Sequence, residues 1–385
     1  MKRILVLSNG AGEDAIANKV LQRLPGELVG RVVCCPLVGD GHAYAERFEL
    51  CGPRVRPPSE GLFRESWLLA LKDLAGGVIG GHLRQLSFLR RNRGDIALTV
   101  AVGDLFPVLW AGLSGCGPVL FIGTAKSVFH HPYSWLERFV LKRFVVNSVV
   151  RDEPTAQELR DFGLTAEWLG NAMMDEVQPQ GVELPFSVDG PVLTVFPGSR
   201  GHAPRTLAYQ LEVLELVFGT HPGLQAGVAM APGTRVSELC EPALRAGWEL
   251  QAGGGDSHRG VLVKGGQSVH LLAGVLGDLL CQSTLALGQA GTANEQAAGA
   301  GVPVVAYDPK GSKGLRWYRA RQKGLLGDAV SVVVQQVPAI AGEIQMLLDN
   351  SEERERRASV GRERMGPAGG CQRMANAICR AFPGE

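Results

Sequence analysis

The chain has 385 residues, of which 45% are hydrophobic and 20% charged, with a formal net charge of +1 and a mean hydropathy of +0.06. A chain of this length exceeds the usual size of one hydrophobic core, so we expect two domains. The balanced charge excludes a dedicated nucleic-acid-binding protein, and the composition is that of an ordinary globular protein.

The sequence contains no evident signal for targeting, membrane crossing, disulfides or metal binding. The apolar run 4–7 is too short for a signal-peptide core, and no segment is apolar for long enough to span a bilayer. The eight cysteines show no C-x-x-C pattern, and the histidines show no H-x-x-x-H spacing. We therefore expect a cytoplasmic protein with reduced cysteines and no metal site.

The first predicted strand, residues 4–7, leads into a glycine-rich turn and a helix through the sequence SNGAGED. Gly10 and Gly12 leave room for a ligand beside the backbone. Glu13 falls at the start of the helix, where it either stabilises the helix N-terminus or contacts the ligand. The spacing is not a full G-x-G-x-x-G dinucleotide motif.

Further strands at 29–35, 96–102 and 119–122 alternate with helices, which predicts a doubly wound parallel sheet. Asp104 follows the strand 96–102, at the edge on which open α/β sheets bind ligands. It is either the N-cap of the next helix or a general base.

Two stretches of the first half mix aromatic and basic residues. One covers residues 62–93 and contains Trp67, and the other covers residues 135–144 and contains Trp135 and Phe139. This mixture is typical of helices at a membrane interface, although a core-facing helix with a solvated basic face explains either stretch alone.

Residues 176–190 are rich in proline, glycine and polar side chains, without a period, and we expect an interdomain linker there. A second alternation follows, with strands at 192–196 and 225–230 and helices at 207–217 and 268–281. Arg200 follows the strand 192–196, where a guanidinium suits phosphate oxygens.

Residues 285–308 predict a strand, a small-residue turn, a helix and another strand. Gly291 and Thr292 fall at the helix N-terminus, which presents free backbone N–H groups to an anion. The basic loop that follows contains Lys310 and Lys313 and either gates a cleft, touches a phosphate or simply leads into a helix. Near the C-terminus, residues 351–364 predict a solvated helix, and the apolar helix 373–382 is expected to return to the first domain.

Three motifs together resemble a known family: SNGAGED at 8–14, FPGSR at 196–200 and AGTANEQAAGAGVPVV at 290–305. They are similar to motifs of lipid-A-disaccharide synthase and its related glycosyltransferases. The resemblance implies the GT-B fold, in which two Rossmann-like domains face each other across a cleft. The expected domains are 1–175, which faces the acceptor and the membrane, and 191–345, which binds the nucleotide sugar. Linker 176–190 joins them, and the helices of 346–385 return to the first domain.

The resemblance also implies roles for individual residues. The donor diphosphate would be held by Gly198, Ser199, Arg200, Gly291 and Thr292. The family's ribose-binding glutamate aligns with Gln296, so either Gln296 or the adjacent Glu295 meets the ribose. Glu13 matches a family motif and Asp104 the family's catalytic aspartate, which makes either the candidate base. Gly10, Gly12, Lys310 and Lys313 belong to the acceptor side and its loop.

The resulting hypothesis is an inverting, metal-independent glycosyltransferase that moves a sugar from a UDP-sugar to a membrane lipid. The UDP-sugar is the donor substrate, and no further cofactor is expected. The protein would lie at the inner face of the cell membrane, as a monomer or a homodimer. Two alternatives remain open, a UDP-sugar 2-epimerase of the same fold and a catalytically inactive UDP-sugar-binding protein.

Overall fold

The computed structural model describes residues 2–55, 78–187, 189–308 and 313–383. It divides the chain into two compact units. The first comprises Met1–Ala172 and Ala368–Glu385, and the second comprises Met173–Pro367. Each unit has its own mainly parallel sheet between helices, which confirms the expected α/β architecture of two Rossmann-like domains.

In the described part of the first unit, seven parallel strands form a sheet in the order β3-β2-β1-β4-β5-β6-β7. They are β1 (Arg3–Ser8), β2 (Val32–Pro36), β3 (Glu49–Leu50), β4 (Ile96–Gly103), β5 (Val119–Gly123), β6 (Val145–Val150) and β7 (Ala166–Trp168). Ile4 and Val6 pack into one core, while Leu5 and Leu7 pack into another on the opposite face. Because both faces are covered, β1 is a continuous apolar run.

The described helices of the first part of the chain connect these strands. They are α1 (Ala11–Leu21), α2 (Gly26–Val29), α3 (Val78–Asn92), α4 (Leu105–Ser114), α5 (Trp135–Phe144) and α6 (Glu153–Asp161). A 3-10 turn lies at His42–Tyr44, between β2 and β3.

The second unit contains eight strands in the order β10-β11-β12-β9-β8-β13-β14-β15. They are β8 (Val192–Phe196), β9 (Gln225–Met230), β10 (Glu249–Ala252), β11 (His258–Lys264), β12 (Gln267–Ala273), β13 (Leu285–Gly288), β14 (Val304–Asp308) and β15 (Val330–Val334). β10, β11 and β12 form an antiparallel extension, and the remaining strands are parallel.

The helices of the second unit follow in the same alternation. They are α7 (Ala203–Thr220), α8 (Val236–Arg245), α9 (Leu276–Gln282), α10 (Thr292–Gly299), α11 (Lys313–Leu326), α12 (Val337–Asp349) and α13 (Ser351–Met365). The last helix of the chain, α14 (Gly370–Ala381), belongs to the first unit, where Met374 and Ile378 are buried in the same core as Ile4. This confirms the predicted return of the C-terminal helix.

The prediction of a helix over residues 268–281 is wrong. Residues 267–273 form β12, and only Leu276–Gln282 are helical. In β12, Val269 and Leu271 are buried while Ser268 and His270 are not, so the strand period of two was present in the sequence.

The segment expected to be a linker is anchored to the second unit by one buried carboxylate. Asp278 Oδ1 accepts hydrogen bonds from the backbone N–H groups of Gln180 (2.9 Å), Gly181 (2.7 Å) and Val182 (3.0 Å). Residues 173–190 accordingly group with the second unit, as does α13.

Candidate active site

The candidate residues of the first unit lie where β1 and β4 end side by side. β1 is flanked by β2 on one side and by β4 on the other, so the sheet changes winding direction between β1 and β4. Open α/β sheets bind ligands at such points, beyond the carboxyl ends of the strands. The register pairs Ser8 with Val102, which brings the residues that follow, Asn9 and Gly103, next to each other.

Asp104 is held by two hydrogen bonds to the same carboxylate oxygen. Oδ1 accepts from the backbone N–H of Phe106 at 2.8 Å, so Asp104 is the N-cap of α4. The Nδ2 of Asn9 donates to the same oxygen, also at 2.8 Å. Capping and general base catalysis are compatible here, because both bonds go to Oδ1 and no described residue donates a hydrogen bond to Oδ2.

Glu13 lies against the same pair of strand ends. A Cβ atom added to Gly10 would lie 2.7 Å from Glu13 Oε2, and one added to Gly103 would lie 2.9 Å from Glu13 Cγ. Gly103 also has a φ of 123°, a backbone conformation that residues other than glycine rarely adopt. The structure therefore brings Glu13 next to the residue that precedes Asp104, and Gly103 is required for that approach. Gly12 is exposed, with open space beside its Cα.

Asn9 is a site residue that sequence reasoning missed. Its Oδ1 is buried and has no hydrogen-bond partner among the residues that the structure describes, while its Nδ2 holds Asp104. The available signal was its place immediately after β1 in the motif SNGAGED, since polar residues at strand ends face the ligand edge.

Sequence reasoning also missed Asp14, because an acidic residue in the first turn of a helix is usually explained by its interaction with the helix N-terminus. It is only 3% exposed, and its Oδ1 accepts a hydrogen bond from Ser8 Oγ at 2.6 Å. Ser8 Oγ also lies 2.8 Å from the Tyr44 hydroxyl, which completes a buried polar chain beneath Glu13. Burial raises the pKa of Asp14 to about 6, and the neighbouring charge of Glu13 adds to the rise.

The candidate residues of the second unit lie at the equivalent point of its sheet, between β8 and β13. These strands pair Phe196 with Gly288, and the N–H of Gln289 donates to the carbonyl of Phe196 at 2.8 Å. The buried Gln210 donates from Nε2 to the carbonyls of Phe196 and Leu287, each at 3.2 Å. The ends of the two strands are thus held together from α7.

The loop after β8 contains Gly198, Ser199 and Arg200. Gly198 has a φ of 97°, and a Cβ atom there would lie 3.7 Å from the carbonyl oxygen of Gln289, so the loops after β8 and β13 are adjacent. Ser199 and Arg200 are exposed. Burial raises the pKa of Tyr318 and outweighs the positive charge of Arg200, which acts through space to lower that pKa.

The loop after β13 ends at the N-terminus of α10. Gly291 is the N-cap and Thr292 the first helical residue, and Gly291 has no side chain that could cap the free N–H groups. A Cβ atom on Gly291 would lie 2.5 Å from the Tyr318 hydroxyl. Because the loops after β8 and β13 are adjacent, the structure places Arg200 and an uncapped helix N-terminus in neighbouring loops. Both attract anions.

Glu295 and Gln296 are both buried on α10, but the amide of Gln296 is engaged. Its Nε2 donates to the carbonyl of Met173 and to Glu176 Oε2, each at 3.1 Å. Glu295 instead acts on Tyr318, where its charge adds to the effect of burial in raising the pKa of the phenol. Gln296 thus binds the start of the second unit.

Three residues of α11 that contact this loop were not identified from the sequence. Tyr318 approaches Gly291, and the buried Arg319 and Gln322 bind backbone carbonyls of residues 289–291. The stretch KGLRWYRARQ has the composition of an exposed basic helix, so only the packed structure shows which of its polar side chains point inward.

The remaining predicted residues lie outside the described part of the chain, have no described side chain, or are exposed. Lys310 and Trp67 lie outside the described residues, and Lys313 begins α11 without a described side chain. Trp135 and Phe139 are on α5 with exposed fractions of 69% and 55%, and their rings stack at a centroid distance of 6.0 Å. These two aromatic residues therefore face away from the core.

The described residues contain neither a membrane-spanning helix nor a cluster of metal ligands. No helix there is long and apolar enough to cross a bilayer. No three His, Cys, Asp or Glu side chains in that part of the chain converge as metal ligands would.

Comparison with known proteins shows a fold but no family. No family model matches the sequence, and no curated protein matches it either. Solved structures do match over nearly the whole chain. UDP-GlcNAc 2-epimerase from Neisseria meningitidis, bound to UDP-GlcNAc, has a TM-score of 0.55 at 14% identity and covers 99% of both chains. MnaA from S. aureus, in complex with UDP, has a TM-score of 0.55 at 13% identity and covers 98% of this chain and 96% of its own.

MurG from Acinetobacter baumannii has a TM-score of 0.59 at 13% identity, and the match covers 99% of this chain and 100% of that one. At such identities the likeness establishes the shared fold. The protein accordingly has the two-domain, Rossmann-like GT-B fold of these enzymes.

Proposed function

We propose that the protein is a glycosyltransferase that transfers a sugar from a UDP-sugar to a lipid acceptor with inversion at the anomeric carbon. The observation that carries the proposal is that the loop after β8, which contains Arg200, lies beside the loop that ends at the uncapped N-terminus of α10. Two independent anion-attracting features at one strand edge suit a nucleotide diphosphate. The shared fold adds support, since MnaA is described in complex with UDP.

On the donor side, Gly198, Ser199 and Arg200 would contact the diphosphate from the loop after β8. Gly291 and Thr292 would contact it through the N–H groups that begin α10. For the ribose we propose Glu295, because the amide of Gln296 already binds Met173 and Glu176.

In the transfer step, Glu13 or Asp104 removes the proton from an acceptor hydroxyl. The hydroxyl oxygen forms a bond to the anomeric carbon of the sugar, and the bond between that carbon and the diphosphate oxygen breaks. The electron pair of the broken bond leaves with UDP. Arg200 and the N-terminus of α10 stabilise the charge that develops on the leaving diphosphate.

The proposal of a lipid acceptor rests on an exposed surface of α5, here called the α5 patch. It consists of Trp135, Leu136 and Phe139, with Lys142 and Arg143 in the last turn of the helix. Exposed aromatic and aliphatic side chains beside cations are typical of helices at the surface of anionic membranes. The patch would hold the first unit at a membrane from which the acceptor is taken.

A second candidate function is UDP-sugar 2-epimerisation. It is supported by the match to the Neisseria meningitidis epimerase, which covers 99% of both chains, close to the 99% and 100% of the MurG match. An epimerase would use the same nucleotide site and would need neither an acceptor nor the α5 patch. An inactive UDP-sugar-binding protein is the third candidate.

One experiment separates the three functions. The purified protein is incubated with a panel of radiolabelled UDP-sugars, with and without lipids from the host membrane. We expect label to appear in the lipid fraction with release of UDP. A new UDP-sugar epimer in the absence of lipid would instead establish the epimerase, and binding without either product would establish the inactive protein.

The donor site is tested by Arg200→Ala. We expect the dissociation constant for UDP, measured by calorimetry, to rise at least several-fold, because a charge-assisted contact to the diphosphate is lost. The matched control is Arg245→Ala, an exposed arginine of the same unit that pairs with Glu241. If Arg200→Ala binds UDP as tightly as this control, the assignment of Arg200 is incorrect.

A further inference from the structure

Arg319 and Gln322 are unusual because they are polar, long and almost completely buried. They lie one turn apart on α11 with exposed fractions of 2% and 1%, and Arg319 is the largest fully buried side chain of the described chain. Buried arginines are rare and require partners. The partners of these two residues are concentrated on one loop, residues 289–291.

The two side chains bind three consecutive carbonyl groups. Arg319 donates from Nη2 to Gln289 O at 2.6 Å and from Nη1 to Ala290 O at 3.1 Å. Gln322 donates from Nε2 to Gly291 O at 2.9 Å and to Ala290 O at 3.3 Å. Gln322 Oε1 accepts a bond from Arg319 Nη1 and thereby fixes the pair. We refer to Arg319 and Gln322 as the clamp.

The clamp determines which way the amides of the loop point. In a planar trans peptide, the C=O and the following N–H point in opposite directions. Since the carbonyls of residues 289–291 are held towards α11, the N–H groups of residues 290–292 are turned away from it. These include Gly291 and Thr292, whose amides lead into the uncapped N-terminus of α10.

Arg319 forms no ion pair among the residues that the structure describes. Within the described part of the chain no carboxylate lies within ion-pair distance of its guanidinium, and Nε has no hydrogen-bond partner there. Asp308 acts on it through space only, and burial lowers its pKa. An unpaired buried cation is destabilising, and an anion on the other side of the thin loop would offset that cost.

We propose that Arg319 and Gln322 are positioning residues of the nucleotide site, which orient the amides of residues 290–292 towards a diphosphate and place a positive charge behind them. The inference rests on the proposed function and deepens it, because neither residue touches the ligand itself. It predicts that the clamp contributes to binding of the diphosphate and little to binding of the nucleoside.

The test compares UDP, pyrophosphate and uridine as ligands of Arg319→Met and Gln322→Met, by calorimetry or ligand-observed NMR. For Arg319→Met we expect at least a tenfold weaker affinity for UDP and pyrophosphate, with less than a threefold change for uridine. Gln322→Met, which keeps the charge, should show a smaller loss in the same direction. The control is Lys323→Met on the same helix, since Lys323 is exposed and pairs with Asp328.

The outcomes are distinguishable. If the unmodified protein binds no UDP, the proposed function fails and the inference fails with it. If the unmodified protein binds UDP and both clamp variants bind it within twofold, the inference alone is overturned. An equal loss for UDP and uridine would show a purely structural role and would also overturn it. Should Arg319→Met not fold by circular dichroism, Arg319→Lys and Gln322→Met decide by the same ligand comparison.

Discussion

At the scale of single residues, Asp14 has the clearest physical signature in the first unit. It is buried next to Glu13 and accepts a hydrogen bond from Ser8, and burial raises its pKa from 3.8 to about 6. The folded protein therefore binds a proton more tightly than the unfolded chain between these values. Stability falls as the pH rises through this window, and the full cost of the buried charge is present above pH 6.

We predict that Asp14→Asn removes this pH dependence, because asparagine keeps the shape and the acceptor oxygen but does not ionise. The variant should gain stability relative to the unmodified protein as the pH rises from 4 to 7, by on the order of 3 kcal/mol for a pKa shift of about two units. Urea unfolding of both proteins at each pH measures the difference. A stability difference that is the same at pH 4 and pH 7 would contradict the prediction.

The sequence identified several residues whose surroundings only the structure shows. Asp104 was placed correctly at a strand end, but its contact with Asn9 joins residues 95 positions apart. The sequence left the choice between Glu295 and Gln296 open, because it does not show in which direction each of two adjacent helical side chains points. The contacts of Gln296 with Met173 and Glu176 come from a distant segment and are not encoded in the local pattern.

At the scale of secondary structure elements, α5 combines a well-formed helix with an unusual surface. Ser134 and Glu137 form a capping box at its start, so the helix is locally stable. Leu141 packs into the core, while Leu136 remains 62% exposed beside Trp135 and Phe139. Exposed apolar side chains that are contiguous on a helix are typical of an interaction surface.

We predict that Trp135→Ser with Phe139→Ser abolishes binding to vesicles that contain phosphatidylglycerol. The reason is the loss of apolar area that would enter the headgroup region, on the order of 25 cal/mol per Å². Co-sedimentation with vesicles measures the bound fraction. Leu216→Ser, an exposed leucine in the second unit, is the control and should bind like the unmodified protein. Equal binding by the double variant would exclude the α5 patch as a membrane surface.

Strands and helices were predicted well where the local pattern of apolar residues specifies them. They were predicted poorly where pairing with a neighbouring strand decides between strand and helix. The limits of β8 and β9 agree with prediction because their apolar runs lie between clear turns. β12 was predicted as a helix because its apolar residues continue into α9. β12 pairs with β9 and, in antiparallel direction, with β11. This pairing is a tertiary interaction, and it favours a strand over a helix here.

At the scale of the whole molecule, the two units carry different parts of the proposed reaction. The base is assigned to the first unit and the donor site to the second. The first unit is completed by the last residues of the chain, since α14 buries Met374 and Ile378 in its core.

We predict that Glu13→Gln or Asp104→Asn lowers the rate of sugar transfer by at least about 100-fold, the range expected when a general base is lost. The affinity for UDP should change by less than twofold, because the donor site belongs to the second unit. Formation of labelled lipid and calorimetry with UDP measure the two effects separately. Undiminished transfer by both variants would refute the assignment of the base.

The sequence by itself determined the α/β class, the division into two domains, the place of Glu13 at the start of a helix and the positions of Asp104, Arg200 and Gly291 in loops that follow strands. These properties follow from local periodicity and turn chemistry, which short segments carry on their own. Only the tertiary structure decided that Asn9 holds Asp104, that Asp14 is buried, and that Arg319 and Gln322 bind the loop before α10. The physical reason is that burial and hydrogen bonding of a polar side chain depend on segments far away in the chain.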